Sequence, residues 1–432
     1  MKTIGAVLIV GCALALAAAG EPDGLILPPG FHAAVVADGL GPIRHLAVRS
    51  NGNIYLSTPQ NQDGRGSGII ALHLDANHHA DQPQHFGSVD GGTGIRFQND
   101  RLYASTPSAV YRFAFRGNEL VPSNEPEAIV EGMPASHPGF NRVNRPIALD
   151  GQGHLFVALD ASANLCTAQA LPRPGQPQPS ASSPPVGVKP CPDLGTRAGV
   201  WRFDANKIGQ KFPTDGEQWA TGIRDIGSLD WSPADRHVYG IMHGRDNTHR
   251  FWPDLVSTED DDHIADEMHR ITKPTDFGWP YTYFDGVRNV RLVSPEYGGD
   301  GKTPAPGAYS SPVLTFHSRR AAPVDLLFYS GTSFPRSYRN GAFIVLHGTG
   351  NRSGYNVVFV PFDRNGKAGS PTVFADGFAA FDPSAASRGP ATYRPIGIAE
   401  GPDGALYVAD SQKGRIWRIA YQGGSSRATG GR

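Results

Sequence analysis

The sequence predicts an all-β chain folded as a six-bladed β-propeller. Three features lead there. A strand–turn–strand unit recurs six times, helical periodicity is scarce, and Gly 53 and Pro 37 supply an excess of turn residues between short apolar strands. A disordered chain would share the Gly and Pro content but not the periodic apolar strands.

The units follow one another along the chain. The first pairs residues 44–48 with 54–57 across Ser50-Asn51-Gly52. The second joins 94–97 to 102–104 through Asn99-Asp100, and the third joins 146–149 to 155–158 through Asp150-Gly151-Gln152-Gly153. A hairpin over 227–242 is the fourth. The fifth has a longer connection, from 325–329 to 342–346, and the sixth joins 395–399 to 406–409 through Pro402-Asp403-Gly404. β-Branched and aromatic residues dominate these runs, as pleated and half-buried surfaces require. Further strands follow some units, such as 110–113 and 415–419. Radial stacking of blades lets one domain hold such a length without one thick core.

Composition narrows the function. The chain has 432 residues, a hydrophobic fraction of 39% and a formal net charge of -1. That balance argues against nucleic acid or an anionic membrane surface as the partner. At the N-terminus Lys2 precedes an apolar run, residues 4–19, followed by Gly20 and the polar Glu21-Pro22-Asp23. This is the pattern of a signal peptide, residues 1–19, cleaved near Ala19; lipid attachment at Cys12 is the alternative. No later stretch is long and apolar enough to span a bilayer. The expected location is periplasmic or secreted. Cys166 and Cys191 then remain as an even pair in an exported chain, which reads as a disulfide across a Pro/Ser-rich insertion, residues 167–190. No Cys-x-x-Cys-His haem motif is present.

The richest stretch runs from 222 to 280. Arg224 and Asp225 precede one strand, and His243-Gly244-Arg245-Asp246 end the next, so charged groups cluster at the ends of one hairpin. Strand ends on a rigid β scaffold are suitable places for a site. The acidic run Glu259-Asp260-Asp261-Asp262 reads as a solvated loop, and His78, His79 and His85 as exposed side chains.

RPIALDGQGHLFVALDASANLC, GIRDIGSLDWSPADRHVYGIMHGRDN, DFGWPY, YRNGAFIVLHGTGNR and YRPIGIAEGPDGALYVADSQKGRIWRI, taken in order, resemble the soluble quinoprotein glucose/sorbosone dehydrogenases, most of all the sorbosone-dehydrogenase-like branch. The resemblance covers residues 27–421 and leaves 422–432 as a flexible tail. It implies pyrroloquinoline quinone (PQQ) and calcium as cofactors, a sugar, polyol or aldehyde as substrate, and a separate electron acceptor, a cytochrome or a quinone. By position, Arg224 matches an arginine that contacts the quinone and Asp225 a neighbouring cofactor contact. His243, Gly244 and Arg245 match the segment whose backbone carbonyls hold calcium, the ligands expected being the carbonyls of Gly244 and Arg245. His347 falls near a family lysine, and Arg394 matches an arginine that pairs with a PQQ carboxylate. Glu267 precedes Phe277-Gly278-Trp279-Pro280 at the family's spacing for a structural calcium, with Phe277 where the family has tyrosine.

The family's catalytic base is a histidine, and Arg142 occupies its position here. Arginine has essentially no neutral fraction at working pH. If the protein turns over, the proton goes to His137, five residues upstream, or to His347. Two other functions remain: a non-catalytic propeller binding a carbohydrate or a partner, and a calcium-dependent lactonase-type hydrolase, which would need carboxylates converging on the channel. Few are visible at strand ends.

Overall fold

The computed structural model describes residues 24–59, 68–87, 92–135, 144–167, 183–316, 321–349, 354–380 and 390–423. Six sheets, each with four antiparallel strands, form the blades of a propeller, and short parallel strands, Gln210–Lys211 and Thr275–Asp276, extend the second and third. Blade 1 comprises Leu46–Val48, Ile54–Ser57, Ile69–Leu72 and Gln84–Phe86, and blade 2 Ile95–Gln98, Arg101–Ser105, Ala109–Ala114 and Glu127–Glu131. Blade 3 is Ile147–Leu149, His154–Leu159, Gly199–Asp204 and Glu217–Thr221. Blade 4 is Ile226–Ser232, His237–Met242, Asp266–Ile271 and Leu314–Phe316. Blade 5 is Pro323–Phe328, Gly341–Leu346, Asn356–Pro361 and Thr372–Ala375. Each of the six sequence units supplies the inner hairpin of one blade.

The first strand of every blade touches the first strands of both neighbours, so the ring is closed around an axis. Closure comes from blade 6. Its inner three strands, Pro395–Glu400, Leu406–Asp410 and Ile416–Tyr421, are completed by Phe31–Ala37 from the other end of the chain, with Phe31 opposite Tyr421. Phe31 packs edge-on against Phe334 and Phe374, at ring-centroid distances of 4.8 and 5.0 Å, and anchors the seam in blade 5.

Apolar side chains fill the gaps between blades. Tyr103 and Val110 of blade 2 meet Ile147, Trp201 and Phe203 of blade 3, and Tyr239 of blade 4 meets Phe328 of blade 5. Trp201 and Trp417 are fully buried, each burial worth about 2–3 kcal/mol. Of the other tryptophans read as packing, Trp279 is buried beside the disulfide and Trp231 is partly buried against the core shared by blades 3 and 4.

Blade 4 carries the large insertions. Two short helices, Thr248–Phe251 and Thr258–His263, follow its second strand, and a hairpin of Thr282–Asp285 with Val290–Val293 follows its third. The acidic run expected as a loop lies within the second helix. Ser257 caps that helix: its side chain accepts from the Asp260 amide while the Asp260 carboxylate accepts from the Ser257 amide. Acidic residues in a first turn also suit the helix dipole. Asp261 turns inward and accepts from the Thr248 amide and His249 Nδ1, at 2.8 and 2.9 Å. His78, His79 and His85 are exposed, as expected. Among the described residues no helix is long and apolar enough to cross a membrane.

Candidate functional site

In an antiparallel hairpin the start of the first strand and the end of the second lie at the same edge. Six such hairpins around an axis therefore bring twelve strand ends to one rim. Blades 4, 5 and 6 add a shared device: their inner strands break register between Ile226 and Ser228, Pro323 and Asp325, and Pro395 and Gly397. The residue skipped in each case, Gly227, Val324 or Ile396, lines one cavity of about 300 Å³. A bulge re-aims side chains locally, and here it opens the floor of the cavity.

Of the residues expected at a site, Arg224, Asp225, His243, Gly244, His347 and Arg394 all line this cavity. Arg224 is 6% exposed. It donates from one terminal nitrogen to the Gly244 carbonyl and from the other to Asp246 Oδ2, both at 2.7 Å. Among the described residues its buried Nε has no hydrogen-bond partner. Arg394 donates to the carbonyls of Gly348 and His347. Its own amide is held at 2.6 Å by Asp410, whose second oxygen accepts from the amides of Gln412, Lys413 and Gly414. Asp410 is thus a loop clamp that sets Arg394.

His243 and Asp225 form a charged couple. Their Nδ1 and Oδ2 lie 3.7 Å apart, and His243 Nε2 meets the Pro323 carbonyl at 2.6 Å. Removal from water opposes the imidazolium, but Asp225, Asp266 and the Pro323 carbonyl outweigh it and raise its pKa to about 10. Asp225 resists burial in turn and is held well below the usual carboxylate range by His243, Arg224 and Asn144. A Cβ at Gly227 would stand 2.9 Å from the Pro323 oxygen and 3.2 Å from His243 Nε2, so glycine makes that contact possible. At Gly244 a Cβ would lie 2.4 Å from the Ala265 oxygen.

Arg245 turns the other way. Its buried guanidinium donates to Glu296 at 2.8 Å and lies over the rings of Trp252 and Tyr283, which anchors the 244–246 segment from behind. His137 and Arg142 lie outside the described residues. Glu267 is buried against Arg291 and His269 Nε2, so a guanidinium supplies the positive charge there.

Several cavity residues escaped sequence reasoning, namely Arg44, His45, Asn144, Asp160, Asn164 and Asp266, while Asp246 belongs to the charged cluster singled out at the hairpin end. Four carboxylates therefore reach the cavity, against the expectation of few. Asp160 follows the second strand of blade 3 as His243 and His347 follow those of blades 4 and 5, and that shared position was the available signal. Burial, then the charge of Asp225, pushes the Asp160 carboxyl up to about 8 despite Arg145 nearby. Asn144 bridges the two aspartates, donating from its amide to Asp160 at 3.2 Å and from its side chain to Asp225 at 3.0 Å. Asp266 accepts from the Gly244 amide at 3.0 Å. The described residues contain no group of three or more His, Cys, Asp or Glu side chains placed to hold a metal ion. A cation here would rest chiefly on backbone oxygens such as that of Gly244.

The disulfide between Cys166 and Cys191 is formed. It packs with Ala161, Ala198 and Trp279 behind the cavity wall.

Comparison with known proteins gives the context of this site. An uncharacterized protein of Borreliella burgdorferi is 28% identical over 213 residues, 47% of this chain, and the chain spans about half of that relative's length, 48%. The Trichoderma reesei Carbohydrate-Active Enzymes Family AA12 protein, solved in iodide and calcium structures, superposes with TM-scores of 0.68 and 0.65 at 16% identity, over 92% of this chain and 98% and 97% of those chains. The holo form of the pyranose dehydrogenase PQQ domain from Coprinopsis cinerea gives a TM-score of 0.64 at 18% identity, over 93% and 98% of the two chains. At such identities these structures establish a shared fold. The sequence itself goes further: a family model described as TrAA12-like matches residues 25–178 and 300–422, well over half of its length, and the chain belongs to that family.

Proposed function

We propose that the protein is an exported dehydrogenase that uses PQQ and calcium to oxidise a sugar, polyol or aldehyde. The observation that carries this reading is the convergence of Arg44, Arg224, Arg394 and the cationic His243 on one cavity. PQQ is a quinone bearing three carboxylates, and guanidinium groups suit planar, bidentate carboxylate recognition. The buried Arg224 Nε is a donor that such a ligand would satisfy. For calcium the fitting oxygens are the carbonyls of Gly244 and Arg245. The Gly244 oxygen already accepts from Arg224, and a carbonyl has a second lone pair. The Trichoderma and Coprinopsis proteins, described in calcium and PQQ-domain structures, support the same cofactors.

PQQ, when bound, supplies an electrophilic quinone carbonyl that receives hydride from the substrate carbon. The chain's own task is to take the hydroxyl proton. His243 suits that task less well, because Asp225 and the Pro323 carbonyl favour its protonated form. Arg142 cannot take it, because arginine stays protonated. His347 suits the role among the described residues: its Nδ1 sits 2.9 Å from the Pro395 carbonyl, which favours a proton there and makes Nε2 the basic nitrogen. His137 remains the alternative by sequence. Arg224 and Arg394 would orient the bound groups and would supply positive charge to stabilise an anion in the cavity. A separate cytochrome or quinone takes the electrons away. The disulfide supports an oxidising, periplasmic or secreted location. A lactonase-type reading fits less well, since Asp225, Asp246 and Asp266 are engaged with His243, Arg224 and the Gly244 amide.

The test is reconstitution with PQQ and calcium, followed by the visible spectrum and by dye reduction over a panel of sugars, polyols and aldehydes. A PQQ spectrum perturbed by the protein, with dye reduction on one class, is expected. An unperturbed spectrum at saturating PQQ and calcium would overturn the reading.

A further inference from the structure

One wall of the cavity is built by a segment to which the sequence reading gave no role at the site. Residues 160–166 follow the second strand of blade 3 to Cys166, and Ala161, Ala163 and Asn164 among them line the cavity. Within this segment Asn164 makes a reciprocal pair with Asp246. Its side-chain amide donates to the Asp246 carbonyl at 2.8 Å, and its Oδ1 accepts from the Asp246 amide at 3.0 Å. Asp246 is the residue whose carboxylate holds Arg224. The Asn164 carbonyl is fixed from behind by Trp279 Nε1 at 3.2 Å. Two residues on, Cys166 is joined to Cys191, and both ends of the bridge are tied to the blade 4 insertion: the Cys166 carbonyl accepts from the Tyr297 hydroxyl and the Cys191 amide donates to the Tyr281 hydroxyl, each at 3.0 Å.

We propose that Asn164 is a positioning residue for Arg224, and that the Cys166–Cys191 bridge holds it in place, so that the oxidised chain is the form that loads cofactor. The path is continuous: bridge, Asn164, Asp246, Arg224. A two-point amide–backbone pair fixes both the height and the tilt of residue 246, and a guanidinium held by two partners loses its orientation when one of them drifts. Reduction leaves the Cys166 end of this segment held by hydrogen bonds alone, from the Tyr297 hydroxyl and the Val188 amide to its carbonyl. The cofactor half of the proposal rests on the PQQ reading above; the positioning half does not.

Two measurements on the full chain separate these. The first needs no cofactor: amide hydrogen exchange at residues 244–247 in the apo protein, for wild type with and without dithiothreitol, for Asn164→Ala, and for the double variant Cys166→Ala/Cys191→Ala. Exchange at Asp246 rises about tenfold or more in all three perturbed forms if the clamp is real. Protection unchanged in Asn164→Ala overturns the proposal. The second is PQQ affinity by calorimetry in the presence of calcium. Asn164→Ala and the double cysteine variant each weaken binding about tenfold, and the triple variant is no worse than either by more than about twofold, because both act through one path. Additive losses overturn the path. Asn164→Asp keeps the acceptor half of the pair alone and falls between wild type and Asn164→Ala, with KM for the sugar unmoved; a variant that merely unfolds would instead lower the fraction of binding-competent protein. Wild type that binds no PQQ, yet shows the exchange response, refutes the cofactor reading and leaves the clamp standing.

Discussion

Two polar regions share the propeller axis and are made of the same residue types, yet they are built for opposite ends. The cavity holds Arg224, Asp225, His243 and Arg394. One residue further along the same inner strands as Gly227 and Val324 lie Ser228 and Asp325, the heart of a buried knot. There Asp325 Oδ1 accepts from Ser228 Oγ at 2.8 Å and lies 3.5 Å from Arg96, while Oδ2 accepts from the Ile398 amide at 2.9 Å. Blades 2, 4, 5 and 6 are thereby sewn together, and Asp325 is wholly buried. In the knot the acceptors are spent on other blades. In the cavity each charged group has a partner behind it and a void in front. An arginine or aspartate in an inner strand is therefore no evidence of a site; what its partners leave facing open space is.

The largest effect belongs to the knot. Asp325→Ala removes the acceptor that ties blades 2, 4 and 6 to blade 5 and strips the buried Ser228 hydroxyl and Ile398 amide of it, so unfolding by denaturant is expected to show a loss of about 3–5 kcal/mol. A loss under about 1 kcal/mol would break the contrast. The second effect belongs to the cavity: Arg224→Ala lowers PQQ affinity about a hundredfold, roughly 2.7 kcal/mol, while the unfolding midpoint moves little. Calorimetry beside thermal unfolding reads both.

A smaller effect sharpens the comparison by pH. The Asp160 carboxyl titrates near 8 in the folded chain, against an unfolded value near 4, so its contribution destabilises the fold progressively as pH rises across that window. Asp160→Asn lacks that slope. Between pH 4 and 8 the variant is expected to gain steadily on wild type, read from the pH dependence of denaturant midpoints. His243 works the other way. Its pKa is raised, so its contribution is whole below about 6.5 and lost as pH climbs through about 10. The smallest effect is a control at the rim: Asp38, 44% exposed, pairs with Arg415, and Asp38→Ala should cost under about 1 kcal/mol and leave PQQ affinity alone.

The blades were legible because alternation with period two and Asp-Gly or Asn-Gly turns are local signals. Residues 44–57, 94–104, 146–158, 227–242, 325–346 and 395–409 contain them all, and each became an inner hairpin. The strand that closes blade 6 was not legible, since nothing in Phe31–Ala37 names Ile416–Tyr421 as its partner. In the same way Arg224 and His243 stood out within one hairpin, but Asn144, Asp160 and Asn164 come from blade 3 and reach the cavity only through register and ring geometry. The acidic helix was missed because Ser257 and Asp260 make a capping box without Glu or Gln, in too short a stretch to show a period. Arg291 sits 24 positions from Glu267, and no spacing rule links a guanidinium to a carboxylate across an inserted hairpin.

The seam of blade 6 also sets an order of assembly. A chain made or translocated from its N-terminus delivers Phe31–Ala37 first and Ile416–Tyr421 last. Until then the early strand is an unpaired edge, open to the wrong neighbour. The inner strand of blade 6, which follows Arg394, likewise lacks its place in the ring until the seam shuts. Ring closure, more than the formation of any single blade, is therefore the event that turns a string of hairpins into a container, and a protein cut or fused near that seam would lose its contents before it lost its strands.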